Sequence, residues 1–349
     1  MSKRDFSYGN DKWIVRSAVC SLASYGWLKI LKDMGFKLFG VDVVEWCRYN
    51  DLLDGFAKVV KAVEENEDEL ISQLLSITKN INPYWIISGP ETEVYLLVKY
   101  ENVFEQFGVS IFHPPIETME IIKNKYKLAS FCNNRLDSFK NFKVPTTELL
   151  STFVENSEAN ISEIFNKTSN KKNFIIKPIE GRGSTGITRV DANKVYKIIE
   201  REEYKDLSKF LIQEFIEGEE VSVDVLYDFK GIPLNIIPRK RLAVDSGISI
   251  VTETFYDNKI VEIVKELSSE LKFRGMNNIQ FIKRNNDYYL TDINPRFGGA
   301  SIICYFVSES FKRNLFNILN KNFEDLVQDF TPPKKVRMIR YYVDFYYEV

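Results

Sequence analysis

The stretch Phe174 to Val190, FIIKPIEGRGSTGITRV, constrains the fold more than any other part of the chain. Within it, GRGSTG places Gly181, Gly183 and Gly186 at the spacing Gly-x-Gly-x-x-Gly. In a dinucleotide-binding unit that spacing follows a strand, opens a helix and is succeeded about 20 residues later by an acidic side chain. Here the β-branched Ile187, Thr188 and Val190 follow Gly186 and predict a second strand, so the unit reads strand, glycine-rich turn, strand. Such a hairpin is either a flap over a polyphosphate, offering backbone N–H groups and the Ser184 and Thr185 hydroxyls, or a plain surface turn. The order of parts excludes a protein-kinase flap. In a kinase the phosphate-pairing lysine lies on a strand downstream of the glycines, whereas Lys177 precedes them.

A chain of 349 residues is too long for one ordinary core and predicts two or three packed units. Lysine and arginine total 47 against 49 acidic residues, so no global field draws the chain to nucleic acid or anionic lipid. The four cysteines, Cys20, Cys47, Cys132 and Cys304, form no C-x-x-C pair, which argues against a zinc ribbon or a disulfide framework. With no apolar leader at the N-terminus and no long apolar run, the expectation is a reduced, cytoplasmic protein without a membrane span. The lone histidine, His113 in IFHPP, rules out a multi-histidine metal cage and reads as a loop residue rather than a catalyst. Catalysis must then rest on carboxylates, amides, lysines and arginines.

Strand and helix signals alternate over the first hundred residues: KWIVRSAV, a periodic stretch to Met34, FKLFGVDVV, an acidic amphipathic stretch over 56–78, and PYWIISGP. This alternation predicts βαβ units on a parallel sheet, a doubly wound α/β domain. Its first turn, SAVCSLASYG, lacks a glycine triplet and reads as scaffold or substrate site rather than a dinucleotide site. Residues 116–140 read as one helix, and 155–172 as a helix and loop leading into the flap. From 210 onward LIQEFIEGEEVSVDVLYD and IPLNIIPRKRLAV read as strands and 261–273 as a helix. NNIQFIKRNNDYYLTDIN reads as a hairpin turning at Asn285, Asn286 and Asp287.

Four segments carry the chemistry. Lys125 lies on a helix, Lys177 on the strand entering the flap, Gln213 to Ile216 and Glu220 in LIQEFIEGEE, and Gln280, Asp292, Asn294 and Arg296 in the last hairpin and NPR. Gln280 and Asp292 come from facing strands, and Asp292 and Asn294, two apart, share one face. Three oxygen donors therefore converge, a set suited to Mg²⁺ sharing its sphere with substrate phosphates. Arg296 would extend a bidentate donor to the same phosphate.

In this order the segments resemble an ATP-grasp enzyme, in the branch of carbamoyl phosphate synthetase large-chain units and carboxylate-amine ligases, over roughly residues 10–310. The resemblance implies an N-terminal Rossmann-like (pre-ATP-grasp) domain over 1–115, a linker helix and lid subdomain over 116–214, and a C-terminal α+β subdomain with the metal site over 215–349. It implies that Lys125 and Lys177 contact the ATP phosphates beneath the flap of Gly181, Gly183, Ser184, Thr185 and Gly186. Gln213, Glu214, Phe215 and Ile216 would belong to the adenine hinge, and Glu220 would hold the ribose. Gln280, Asp292 and Asn294 would hold one or two Mg²⁺ ions, with Mn²⁺ an alternative. The family usually has glutamate where this chain has Asp292, and the shorter arm changes how two ions would be bridged. In PRKR the family often places a basic residue facing the transferred phosphate. Arg239 and Arg241 share one strand face and Lys240 the other, so the first two are the candidates. The implied reaction activates a carboxylate as an acyl-phosphate and joins it to an amine, with amino-acid or amino-sugar-type substrates expected and amino acids leading. A small-molecule kinase and a non-catalytic nucleotide-binding module are the alternatives, and a homodimer is compatible with the resemblance.

Overall fold

The computed structural model describes residues 11–341 except 22, 46, 48, 49, 156–172, 182–185, 192, 193 and 246. Three sheets organise the chain. The first is wholly parallel, with β1 (Trp13–Ser17), β2 (Lys37–Asp42), β3 (Gly55–Lys58), β4 (Trp85–Ile87) and β5 (Ser110–Ile111) in the order β3-β2-β1-β4-β5. Its central strand is buried on both faces because helices cover both, and alternate residues enter different cores. Val15 joins Leu70, Leu74 and Val94, while Ile14 joins Leu28, Leu31 and Phe297.

The second sheet, fully antiparallel, contains β6 (Thr147–Leu149), β7 (Asn173–Pro178), β8 (Thr188–Asp191) and β9 (Phe210–Glu214) in the order β6-β9-β7-β8. β7 and β8 are the strands expected on either side of the glycine-rich turn. Phe174, Ile176, Val190 and Ile212 close a small core of their own with Leu150 and Phe153.

The third sheet has the order β14-β13-β10-β11-β12-β15, from β10 (Glu219–Tyr227), β11 (Pro233–Asp245), β12 (Ile248–Thr254), β13 (Gly275–Arg284), β14 (Asp287–Asn294) and β15 (Arg337–Ile339). Its period-2 pattern separates the faces cleanly. Val221, Val223, Val225, Ile279, Phe281 and Ile293 pack with Ile260, Ile263 and Val264 of the helix Asn258–Glu270. The residues between them are polar and face the opposite way. The two large sheets are locked together by shared side chains such as Phe297 and by the Trp85 Nε1 bond to the Leu319 carbonyl at 2.9 Å. The result is a mixed α/β architecture, one parallel sheet followed by two antiparallel ones, as expected from the sequence.

Two local expectations are corrected. The single helix over 116–140 is two, Ile116–Ile122 and Lys125–Asn133, because the Asn124 side chain accepts from the N–H groups of Tyr126 and Lys127, capping a new helix start. The stretch 56–78 is not helical throughout: its first residues complete β3 and the helix spans Glu67–Ile81. His113 lies at a bend between β5 and the helix Ile116–Ile122, as expected of a loop residue, and its side chain is fully buried between two hydrogen bonds. The helix and loop expected over 155–172 fall, apart from its first residue, outside the described residues. Among the described residues no helix is long and apolar enough to cross a membrane.

Candidate active site

The polar face of the six-stranded sheet is the floor of the site. Antiparallel pairing sets Asp224 opposite Asn278 and Asn278 opposite Asn294. One step along, Ser222 stands opposite both Gln280 and Arg239, and Gln280 opposite Asp292. Cross-strand partners share a face, so one surface carries Ser222, Asp224, Arg239, Asn278, Gln280, Asp292 and Asn294. Glu220 and Arg241, two residues from Ser222 and Arg239, extend it. Lys240 points the other way, to an exposed ion pair with Glu219 at 3.1 Å.

On this floor Gln280 Nε2 donates to Asn278 Oδ1 at 3.3 Å, and its Oε1 accepts no hydrogen bond among the described residues. Among the described residues Asp292 Oδ1 takes only the neighbouring Ile293 N–H, at 3.1 Å. The Asn294 carboxamide oxygen is occupied by Arg296 Nη2 at 3.1 Å, and the same nitrogen lies 3.3 Å from Glu91 Oε1. Glu91 opens the helix Glu91–Lys99 immediately after β4, and burial raises its pKa while Arg296 opposes the rise. Among the described residues no three His, Cys, Asp or Glu side chains gather as a metal cluster. The donor set is one carboxylate and two carboxamides. That hard, oxygen-only set fits Mg²⁺ or Mn²⁺ and leaves most of the cation's charge to be met by phosphates.

The two arginines of PRKR are held differently. Arg239 Nε donates to Asp224 Oδ2 at 2.7 Å with both side chains almost wholly buried, and Asn278 Nδ2 satisfies the other carboxylate oxygen at 2.6 Å. Arg239 is therefore fixed in the floor by a paired charge. Arg241 binds Ser249 Oγ and the Gly247 carbonyl, both at 3.1 Å, and lies 3.3 Å from Glu220 Oε2.

The four-stranded sheet supplies the roof. Lys177, near the end of β7, is 6% exposed, and its ammonium makes no hydrogen bond or ion pair among the described residues. Burial lowers its pKa from 10.5 to about 8, while Asp292 pulls it up and Lys125 pushes it down. Lys125, first residue of its helix, donates to the Gly181 carbonyl at 2.9 Å, and its own N–H bonds the Ile179 carbonyl at 2.8 Å. The helix start is thereby tied to the entrance of the glycine-rich turn. Gly181 and Gly186 have φ of +136° and +74°, and a Cβ on Gly186 would stand 3.0 Å from Pro178 Cγ. Gly183, Ser184 and Thr185 lie outside the described residues. A buried, unpartnered ammonium is costly unless an anion meets it. Lys177, with Lys125 beside it, fits a triphosphate.

β9 ends at Glu214 and β10 begins at Glu219, so Phe215 to Gly218 bridge the roof and floor sheets. Gln213 is buried with Nε2 on Thr147 Oγ1 at 2.7 Å, and buried Glu214 lies 4.0 Å from Arg284. Phe215 is covered by the Arg189 guanidinium at 3.9 Å, while Ile216 is buried. Glu220, half exposed, stands on the floor beyond this bridge.

Sequence reasoning missed Asp224, Asn278, Glu91 and His113. The first two were available from parity alone, since VSVDV and NNIQ put them in step with Glu220 and Gln280. Glu91 and His113 carried no local signal. His113 Nε2 accepts the Ser88 N–H at 3.0 Å, so Nδ1 carries the proton and donates to the Pro295 carbonyl at 2.8 Å. The ring thus clamps the Asn294-Pro295-Arg296 segment to the end of β4.

The chain is 25% identical to the tyramine–L-glutamate ligase of Methanocaldococcus jannaschii over 278 residues, covering 77% of this chain and 75% of the ligase. It is 24% identical over 242 residues to the carbamoyl phosphate synthase large chain of Clostridium acetobutylicum, covering 66% of this chain but 21% of the synthase. An uncharacterized protein of the same archaeon is 27% identical over 287 residues, 77% of this chain, which spans 65% of that protein's length. In fold the chain is similar to the biotin carboxylase domain of Hydrogenobacter thermophilus 2-oxoglutarate carboxylase, solved with MgADP and bicarbonate. The TM-score is 0.65, with 13% identity over 88% of this chain and 69% of that one. The family model described as the ATP-grasp domain matches residues 121–300, just over half of the chain and the span holding Lys125, Lys177, the glycine-rich turn, the bridge and the oxygen-donor floor, so the protein belongs to the ATP-grasp family.

Proposed function

We propose that the protein is an ATP-dependent ligase that activates a carboxylate as an acyl-phosphate and joins it to an amine, releasing ADP and phosphate. The observation that carries this reading is the buried Lys177 ammonium, without a hydrogen-bond or ion-pair partner among the described residues and electrostatically coupled to Asp292. Such a cation calls for an anion, and Asp292 beside the carboxamides offers a carboxylate to a metal ion. A ligase among its sequence relatives, named for joining tyramine to L-glutamate, supports amine ligation over other outcomes.

On this reading Lys125 and Lys177 neutralise the triphosphate, and the Gly181–Gly186 turn closes over it to exclude water. The Glu214 to Ile216 backbone reads adenine and Glu220 the ribose, because these residues span the junction where a nucleotide lying along the cleft would place its base and sugar. Gln280, Asp292 and Asn294 would hold Mg²⁺, whose bound role is to neutralise charge on the transferred phosphoryl group. For Asn294 to join, its oxygen must be shared with or released by Arg296.

A substrate carboxylate oxygen attacks the γ-phosphorus in line, and the bridging oxygen leaves with ADP. The chain supplies positioning and positive charge rather than a nucleophile, as such a loose transition state requires. Arg296, held by Glu91 and Asn294, and Arg241 are the cations placed to meet the equatorial oxygens; Arg239 sets the floor through Asp224. The amine then attacks the acyl carbon, phosphate departs, and the amine's proton passes to solvent or phosphate. The division at about residues 115 and 214 follows the sheets: the parallel sheet offers the substrate, the four-stranded sheet covers ATP, and the six-stranded sheet holds the metal.

An ADP-release screen over amino acids and sugar acids, singly and paired with amines, tests the proposal. Stoichiometric ADP, phosphate and amide support it. ADP with a stable phosphorylated compound would identify a kinase instead, and ADP release in no combination would leave only nucleotide binding.

A further inference from the structure

The parallel sheet reverses its winding between β1 and β4, since β2 and β3 lie to one side of β1 and β4 and β5 to the other. In open α/β sheets the crevice beyond the strand ends at such a reversal is where ligands bind. Arg16, in the last turn of β1, occupies it. Its side chain is buried at 5% exposure, and one nitrogen, Nη1, donates to the Ile87 carbonyl of β4 at 2.9 Å. Among the described residues no carboxylate lies within ion-pair distance of its guanidinium. The nearby acid, Glu93, is satisfied otherwise: its Oε2 accepts from Ser88 Oγ at 2.8 Å, and Ser88 Oγ in turn meets Ser17 Oγ at 2.9 Å. Burial lowers the Arg16 pKa from 12.5 to about 10, with Glu93 raising it and Arg296 lowering it, so the guanidinium is charged at neutral pH and feels the active-site arginine.

Gly89 lies against this guanidinium. A Cβ there would stand 3.6 Å from both Nη1 and Nη2, so any larger side chain at position 89 would lie across the fork. Gly89 belongs to the turn Ser88 to Glu91, and Glu91 holds Arg296. One turn therefore adjoins both the Arg16 fork and the guanidinium that meets the phosphoryl group in the proposed reaction. Two arginines beside one turn ask for two anions on one molecule. A planar buried fork with no carboxylate partner among the described residues matches a carboxylate in two-point geometry.

We propose that Arg16 is a substrate-anchoring residue that binds a second, non-reacting carboxylate, so that the acid activated at this site is a dicarboxylate class of substrate, an acidic amino acid included. The inference rests on the ligase reading for the role of the first carboxylate.

The test is isothermal titration in the presence of MgADP, which holds the nucleotide site filled without turnover. The probes are succinate, glutarate, L-aspartate and L-glutamate, each beside the monoamide that removes one charge: succinamate, glutaramate, asparagine and glutamine. At least one dicarboxylate should bind about tenfold to a hundredfold more tightly than its monoamide. Arg16→Gln should erase that difference with MgADP affinity unchanged, and Gly89→Val, which keeps the charge but blocks the fork, should do the same. A panel in which no dicarboxylate outbinds its monoamide, or a preference that survives both variants, overturns the anchor. ADP release and amide formation that are indifferent to Arg16→Gln sink the anchor while leaving the ligase reading standing. Arg16-dependent dicarboxylate binding without ADP release in the screen upholds the anchor and sinks the ligase reading.

Discussion

Proton uptake on nucleotide binding follows from the state of Lys177. Its pKa is lowered from 10.5 to about 8 by burial, which corresponds to about 3 kcal/mol against the charged form. At pH 8 about half of the free protein therefore lacks the proton on Lys177. A triphosphate beside the ammonium restores the proton affinity, so binding MgATP or MgADP at pH 8 should draw in up to about half a proton per site. The folding consequence has the same origin. The folded state holds fewer protons on this group than the unfolded chain between pH 8 and 10.5, so stability attributable to Lys177 rises with pH through that window. Nucleotide affinity moves the opposite way, falling as pH climbs above 8. The assay is titration calorimetry of MgADP at pH 8 in buffers of different ionisation enthalpy, for the wild type and Lys177→Met. The slope of observed enthalpy against buffer enthalpy counts protons, and the mutant subtracts every other group. Equal slopes for the two proteins would refute the claim that Lys177 is the buried cation meeting the phosphates.

Asp292→Asn and Arg296→Ala should each abolish turnover while the thermal transition moves little, because both side chains face the cleft rather than a core; an unchanged rate in either variant removes the metal and phosphate assignments. Gly186→Val forces a β-branched residue to φ of +74° against Pro178, a strain of about 1–2 kcal/mol. It should impair turnover far more than the global melting temperature, as read by calorimetry beside an ADP assay. His113 is held neutral, with burial lowering its pKa from 6.5 to about 3. The unfolded chain binds this proton first, so stability is full above about pH 6.5 and declines toward pH 3, by at most about 4–5 kcal/mol. Chemical denaturation of His113→Gln across that range should show a shallower decline. Asp224→Ala strands the buried Arg239 charge and should cost about 3–5 kcal/mol of stability, measured by urea unfolding.

The parts legible in the sequence were those with a local period. Alternation in VSVDVLYD and NNIQFIK predicts strands with one polar face, and a turn at Asn285, which adopts φ of 57°, closes the hairpin that aligns Gln280 with Asp292. Strand signals on both sides of GRGSTG identified β7 and β8 for the same reason. What stayed hidden depends on distance in the chain. Glu91 meets Arg296 across 205 positions and His113 meets Pro295 across 182, and no periodicity encodes such pairings. Arg16 carried no signal of its own within KWIVRSAV; its meaning depends on β4 running beside β1 and on Gly89 placing no side chain across the guanidinium. The break at Asn124 shows the reverse case, in which a single capping side chain outweighs an apolar pattern that continues through it.

The central claim is that a substrate carboxylate takes the γ-phosphoryl group before an amine displaces it. With the acid found by the ADP-release screen, the direct measurement is transfer of ¹⁸O from the labelled carboxylate, read by mass spectrometry of the phosphate released. The account predicts one ¹⁸O atom in each inorganic phosphate formed, in step with amide, and no transfer with Asp292→Asn. Amide formation with unlabelled phosphate would contradict it.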